Sequence, residues 1–466
     1  FIASNVAWIV WGWHAAAYAL IVLQVALSVA LLPLAVSVDA RGGLLDSRPA
    51  TVLDPVPGRD GDRPSQATER VAWDAVEHPV VRALDAGPAD QARCTGSGRA
   101  SRRSDSTFRQ SMPALRTGFG TSVPGPRILV TTPFHLKAVL DAGITPVVHE
   151  HGSLGCSGDL APLSHCALVR MGEGEATGPD GVERPTAELL AEAGIEPVTL
   201  VEKEGLALVN GTEGMLGMLL MALADLRDLA DVADVTGAMS VEALLGTDQV
   251  FRPELHEPLR PHPGQATSAA RMLGALDGSP VVASHREGDT RVQDAYSLRC
   301  SPQVTGALRD TIDHAATVAT RELAAAIDNP VVLPDGRISS NGNFHGAPVA
   351  YVLDFLAIAA ADTGSLAERR TDRMLDPARS HGLPAFLADD PGVDSGLMIA
   401  QYTAASIVSE LKRLAAPASV DSIPSSAMQE DHVSMGWSAA RKLRRSIDGL
   451  TRVLAIELLT AARGLE

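Results

Sequence analysis

The feature that most constrains this chain is the length of its apolar stripes. In residues 211–235, GTEGMLGMLLMALADLRDLADVADV, Leu216, Leu219, Leu223, Leu226 and Ala230 recur at steps of three and four. That repeat lines one face of an α-helix and cannot line one face of a strand, where alternate residues point to opposite sides. Thr305 to Asp328, Tyr351 to Leu375, Ser395 to Pro417 and Gln429 to the end carry the same pattern. In the last of these, Leu443, Ile447, Leu450, Leu454 and Leu458 form the stripe. It runs almost to Glu466 without proline and with only a late glycine, so the helix is expected to continue past that point. Strand signals are short, ITPVVH from 144 and PVVLP from 330, each bounded by turn residues. The spacing predicts a mainly α protein, a bundle of long helices with a few short strands, whose stripes extend into subunit contacts.

The orderly patterning begins near Ala138. Residues 1–38 hold no Asp, Glu, Lys or Arg and exceed the ~20 residues needed to span a bilayer, so alone they read as a membrane helix. They lack the basic start of a secretory signal. Residues 39–137 are rich in Pro, Gly, Ser, Asp and Arg and show no periodicity, which fits a disordered linker or a GC-rich coding region read out of frame. A formal net charge of −17 argues against nucleic acid as a partner. Cys94, Cys156, Cys166 and Cys300 show no C-x-x-C pair and no zinc spacing, which fits a reducing compartment and no structural metal.

One stretch falls outside the logic of stripes: GSLGCSGDLAPLSH, residues 152–165. A nucleophile elbow needs G-x-S-x-G, whereas Gly158 directly follows Ser157. A phosphate loop needs a Lys after its last glycine, and none follows Gly158. His149-Glu150-His151 lacks the H-E-x-x-H spacing of a catalytic zinc helix. What remains for the stretch alone is a glycine-rich turn with Asp159 capping a helix that starts near Leu160. VQDAYSLRC from 292, SNGNFHGAPVA from 340 and SSAMQEDHVSMGWSAARKL from 425 likewise set polar and small residues where plain packing has no need of them.

Taken together, these motifs make residues 138–466 similar to the aromatic amino acid ammonia-lyases, and among them to those acting on histidine. The resemblance implies the long-helix bundle of the ammonia-lyase and aspartase type. It also implies that Cys156, Ser157 and Gly158 cyclise into a methylidene-imidazolone (MIO), with Cys156 where most members have alanine. Glycine's unhindered nitrogen attacks the carbonyl two residues earlier, and dehydration of the serine leaves an electrophilic methylene. Such a group suits removal of ammonia from an α-amino acid, for which no ordinary side chain is electrophilic enough. By the same resemblance Asn210 and Tyr296 hydrogen-bond the electrophile and the departing amine, and Gln293, one helical turn before Tyr296, lines the site. Arg299 grips the substrate carboxylate as a bidentate donor, and Phe344 forms an aromatic wall. Glu430 faces the substrate side chain; a carboxylate there suits an imidazole, whereas the phenylalanine lyases usually carry Gln. The implied reaction converts L-histidine to trans-urocanate and ammonia, with no metal or nucleotide. The implied setting is a cytoplasmic homotetramer whose sites combine residues of several subunits, and the apolar run of residues 1–38 is set aside on that ground.

The chain also departs from the pattern. The family's base is a tyrosine in a Tyr-Gly-Val-x-Thr-Gly-Phe-Gly loop; Thr117-Gly118-Phe119-Gly120 echoes its end, but Pro113 stands in the tyrosine's place. Of four tyrosines, Tyr18, Tyr351 and Tyr402 offer no obvious replacement. Two alternatives therefore stay open. One is a phenylalanine or tyrosine ammonia-lyase or aminomutase, against which Glu430 speaks. The other is a non-catalytic remnant, tethered to a membrane by residues 1–38.

Overall fold

The computed structural model describes residues 128–466, with side chains from His135 onward. The apolar run 1–38, almost all of the segment 39–137, Pro113, Thr117 to Gly120, Tyr18 and Cys94 lie outside the described residues.

The helices that matter here are α1 (Ile128–Asp141), α2 (Leu160–Arg170), α3 (Thr186–Glu192), α4 (Glu213–Ala243), α5 (Pro263–Ala275), α6 (Tyr296–Arg299), α7 (Ser301–Leu323), α8 (Ala347–Leu375), α9 (Met398–Leu414) and α10 (Gly436–Leu465). Strands β1 (Thr145–Pro146), β2 (Glu175–Thr177) and β3 (Glu183–Pro185) form an antiparallel sheet in that order. Strands β4 (Val331–Val332) and β5 (Ile338–Ser339) form a hairpin. Both short strand signals in the sequence correspond to strands.

The stripes meet as the periodicity predicts. Leu219, Leu223 and Leu226 of α4, Leu353 and Leu356 of α8, and Leu443, Leu450 and Leu454 of α10 are buried in one cluster with Leu308 and Ile312 of α7. Each such side chain contributes about 1.5–3 kcal/mol by leaving water. Helix α8 is long and apolar enough to cross a membrane, yet it is mostly buried here as a core helix. A second cluster joins the C-terminal halves of α4, α8 and α10 to Leu298 of α6 and Met272 of α5.

Helix order follows from who touches whom. Met215 at the start of α4 lies against Gly436 at the start of α10 and Gly346 just before α8. At the other end Ser240, Arg370 and Glu457 meet. So α4, α8 and α10 run parallel and begin at one end of the bundle. Helix α7 runs the other way, because Thr212 at the head of α4 bonds Glu322 near the close of α7.

Boundaries shift where the site needs irregular chain. Helix α7 stops at Leu323 rather than Asp328, since Pro330 disfavours helix just before it and Asp328 serves a side-chain network. Helix α10 starts at Gly436 rather than Gln429, because Ser425 and Glu430 close a turn through two backbone hydrogen bonds, 3.0 and 3.3 Å. Gln293 is not a helical turn before Tyr296: α6 begins at Tyr296, and Gln293 lies in the exposed bend ahead of it.

Candidate functional site

The loop from Glu150 to Asp159 is held at the end where α4, α8 and α10 begin. Trp437 Nε1 donates to the Glu150 carbonyl at 2.9 Å, and the Met435 amide donates to the Leu154 carbonyl at 2.8 Å. The Gly155 carbonyl accepts from the Gly346 amide at 3.0 Å and from Ser434 Oγ at 2.5 Å. Three helix N-termini therefore surround the Cys156-Ser157-Gly158 turn, each presenting the positive end of its dipole.

The turn itself is tight. Ser157 has φ +50° and Gly158 φ +93°. A Cβ on Gly158 would fall 2.5 Å from both the Gly211 nitrogen and the Val209 carbonyl, so only glycine fits against the 209–211 backbone. Asp159 does not cap α2 as its position suggested: it makes no side-chain bond to that helix. Its fully buried carboxylate instead accepts the Met215 amide at 2.9 Å, capping α4, and Ser153 Oγ at 2.7 Å. Burial pushes its pKa up to about 6. Beside it Glu213 is also buried, which pushes its carboxyl up to about 8.

Asn210 lies next to Gly158 and is 3% exposed. Its Nδ2 donates to the Asn329 carbonyl at 2.6 Å, which leaves Oδ1 buried with no hydrogen-bond partner among the described residues. The Asn329 stretch is anchored by Asp328, whose two oxygens both accept from Lys203 Nζ at 2.6 Å. Glu430 reaches the same turn: Cys156 Sγ lies 3.9 Å from its Oε2, and Ser425 Oγ donates to that oxygen at 2.7 Å. Burial, then the Glu430 charge, pushes the Cys156 thiol up to about 11, so it stays a donor. Phe344 stands two residues before Gly346, in a loop tied to the 430s by stacking of His345 on His432, ring centroids 5.6 Å apart.

Cys156, Ser157, Gly158, Asn210 and Glu430 are thus brought together, with Phe344 two residues from the Gly346 amide that bonds the Gly155 carbonyl; Gln293, Tyr296 and Arg299 are not. The Ser297 carbonyl accepts from Arg370 Nη1 at 3.3 Å, and Arg370 pairs with Glu457, some twenty residues along α10 from the Met435–Leu154 contact. At 1.5 Å per residue that is about 30 Å. Tyr296 is 71% exposed there, with the Arg299 guanidinium 4.5 Å from its ring centre.

Sequence reasoning did not single out Ser153, Lys203, Asp328, Ser425 or Ser434, which hold the site from behind. Ser425 and Ser434 sit inside the motif around Glu430, and that nearness was their one signal. Lys203 and Asp328 carry none.

The description "aromatic amino acid lyase" belongs to the family model that matches residues 128–466. A histidine ammonia-lyase from Streptomyces avermitilis is 74% identical over 328 residues, 70% of this chain and 64% of that protein. One from Gloeobacter violaceus is 52% identical over 71% of this chain and 64% of its own length. The chain spans just under two thirds of the length of these curated relatives. Among solved structures, histidine ammonia-lyase from Trypanosoma cruzi matches with TM-score 0.66 and 38% identity, covering 80% of this chain and 69% of that one. Tyrosine aminomutase from Streptomyces globisporus matches with TM-score 0.70 and 38% identity, covering 80% and 73%.

Proposed function

The chain belongs to the aromatic amino acid lyase family, and from that premise we propose that it eliminates ammonia from L-histidine to give trans-urocanate. The observation that carries the choice of substrate is the Glu430 carboxylate beside the Cys156-Ser157-Gly158 turn. It can accept an imidazole N–H, which a phenyl ring does not offer. The high identity to histidine ammonia-lyases supports the same choice over phenylalanine or tyrosine as substrate.

The residues present fit an MIO group. Gly158 leaves its nitrogen unhindered, and the left-handed backbone at Ser157 and Gly158 already bends the tripeptide. Cyclisation joins the Gly158 nitrogen to the Cys156 carbonyl carbon with loss of one water, and dehydration of Ser157 removes a second. When formed, the group supplies an electrophile that no ordinary side chain provides. The protein's own contributions follow from position. Asn210 offers Oδ1 as an acceptor for an N–H or O–H at the electrophile. The three helix N-termini favour negative charge developing in the turn. Arg299 would hold the substrate carboxylate and Tyr296 the leaving amine, with Gln293 beside them.

The separation of about 30 Å within one chain supports a site shared between subunits, with Gln293, Tyr296 and Arg299 supplied by a neighbour. Tyr351, Phe355 and Ile358 form an exposed stripe on α8, with Ile399 and Tyr402 exposed on α9, apolar surface suited to a homotetramer. The thiols of Cys156, Cys166 and Cys300 are free, in keeping with a cytoplasmic setting.

The test is intact mass and product. Purified chain should weigh two waters less than its encoded mass and release urocanate, read by its ultraviolet absorbance, from L-histidine. Cinnamate from L-phenylalanine with no urocanate would overturn the substrate, and the full encoded mass would overturn the electrophile.

A further inference from the structure

We infer that Ser425, with the Cys156 thiol, is a positioning residue that occupies one oxygen of Glu430 so that the other is presented to the substrate's side chain. This deepens the reading of Glu430 as the imidazole acceptor and rests on it. Ser425 Oγ donates to Glu430 Oε2 at 2.7 Å and Cys156 Sγ approaches the same atom at 3.9 Å, whereas Oε1 receives no hydrogen bond from any described residue. With two donors on Oε2 the terminal torsion of Glu430, otherwise broad and two-fold, is held in one orientation. Oε1 is then a pre-aimed acceptor, and the substrate need not spend binding energy on fixing it.

The backbone shows that this arrangement is built. Ser425 and Glu430 exchange two backbone hydrogen bonds, N to O at 3.0 and 3.3 Å, closing the short loop between them. Inside that loop Ser426, Ala427 and Met428 all have left-handed φ, +50°, +55° and +70°. Non-glycine residues pay roughly 1–2 kcal/mol each for that conformation, and it persists only where the surroundings over-determine it. Here the closure that holds the strain also sets Ser425 Oγ against Glu430. Cyclisation through the Cys156 carbonyl leaves its thiol untouched, and the raised thiol pKa of about 11 keeps the proton it donates. A cysteine in this position is thus a second hand on Glu430, weaker than Ser425 because a thiol is a poor donor.

The test uses the full chain with steady-state kinetics on L-histidine and L-phenylalanine. Ser425→Ala should raise KM for L-histidine about tenfold, the worth of a hydrogen bond to a charged group, with kcat changed far less, because the ring contact is the same in ground and transition states. Ser425→Thr, which keeps the hydroxyl, should restore most of the KM. In a Glu430→Ala background, Ser425→Ala should add nothing. Ser425→Ala with a KM within twofold of the parent, an equal further loss in the Glu430→Ala background, or equal impairment of Ala and Thr variants would overturn the inference while leaving the proposed reaction intact. If the parent chain neither turns over nor binds L-histidine by calorimetry, the proposed reaction itself fails, and this inference with it.

Discussion

Replacing Glu457 by glutamine should cost the fold about 3–5 kcal/mol although it removes no volume. Glu457 is fully buried and accepts from Arg370 Nε and Nη2, from Thr236 Oγ1 at 2.8 Å and from Ser240 Oγ at 2.8 Å. Arg370 is 1% exposed, and its remaining donors reach Ser301 Oγ at 3.0 Å and the Ser297 carbonyl at 3.3 Å. A glutamine amide would point donors at donors and leave a guanidinium charge where no water can reach it. Removing one partner of a buried pair typically costs about 3–5 kcal/mol. Removing both is a different perturbation, because the pair's own desolvation penalty goes too. Arg370→Met with Glu457→Leu should therefore lose less than Glu457→Gln alone: the Thr236 and Ser240 hydroxyls are left to find partners at about 1–3 kcal/mol each if they fail, while Ser301 Oγ and the Ser297 carbonyl, deprived of Arg370, keep their own hydrogen bond at 3.1 Å. Thr236 already has the Ala233 carbonyl within 3.4 Å. The assay is a double-mutant cycle built on Arg370→Met and Glu457→Leu, with Glu457→Gln measured beside it, on urea midpoints at fixed protein concentration, since an oligomer's apparent stability depends on it. A coupling energy of about 2 kcal/mol or more is expected. A loss below about 1 kcal/mol for Glu457→Gln, or additive single effects, would refute the view that this pair ties α6 and its Tyr296 to the bundle.

Three further outcomes follow from the site. Gly158→Ala should yield a protein of full encoded mass by mass spectrometry, because its Cβ would sit 2.5 Å from the Gly211 nitrogen and block the approach of the 158 nitrogen. Glu213 is held by burial at about 8 while its unfolded counterpart titrates near the ordinary glutamate value. The folded chain keeps a proton that the unfolded chain releases, so stability falls as pH rises through that window, by at most about 5 kcal/mol, and is flat below and above it. Glu213→Gln should flatten the fall in urea midpoint between pH 5 and pH 8; parallel curves for the two proteins would exclude it. Finally, Ser157→Ala and Tyr296→Phe chains should each be inactive but regain urocanate formation when co-expressed, since some mixed sites receive an intact turn from one chain and an intact Tyr296 from another. A mixture as inactive as its parts would mean that each site is closed within one chain.

Much of the bundle was legible because helix packing writes a long, redundant signal: each of Leu443, Leu450 and Leu454 could be lost from the stripe and α10 would still be read. The turn at 156–158 was legible for the opposite reason, since three small or reactive residues together have no packing use. Asp159 was misread as a local cap because the chain can report only its neighbours in sequence, and the amide it serves belongs to Met215, more than fifty residues on. Lys203 and Asp328 left no trace for the same reason. Their pairing is a fact of three-dimensional approach between two segments, one that reads as ordinary polar chain around Lys203 and one, ending at Asp328, that reads as the close of a helical stripe.

The separation of Tyr296 from Ser157 is the clearest case of what linear order conceals. Both motifs stand out in the sequence, but their residues say nothing of whether one chain can bring them together; only the family resemblance implied sites shared between subunits. Helices α4, α8 and α10 run parallel and are each about 45 Å long at 1.5 Å per residue, so a group tied to their first turn and one tied to their last turns cannot meet within the chain. Parallel alignment also gathers the helix N-termini around the Cys156-Ser157-Gly158 turn, which antiparallel packing would have divided between the two ends. The arrangement that concentrates the dipoles on the turn is therefore the one that places Tyr296 and Arg299 beyond its reach. Under the proposed site shared between chains, the exposed Tyr351, Phe355 and Tyr402 of α8 and α9 are apolar surface that such a contact would cover.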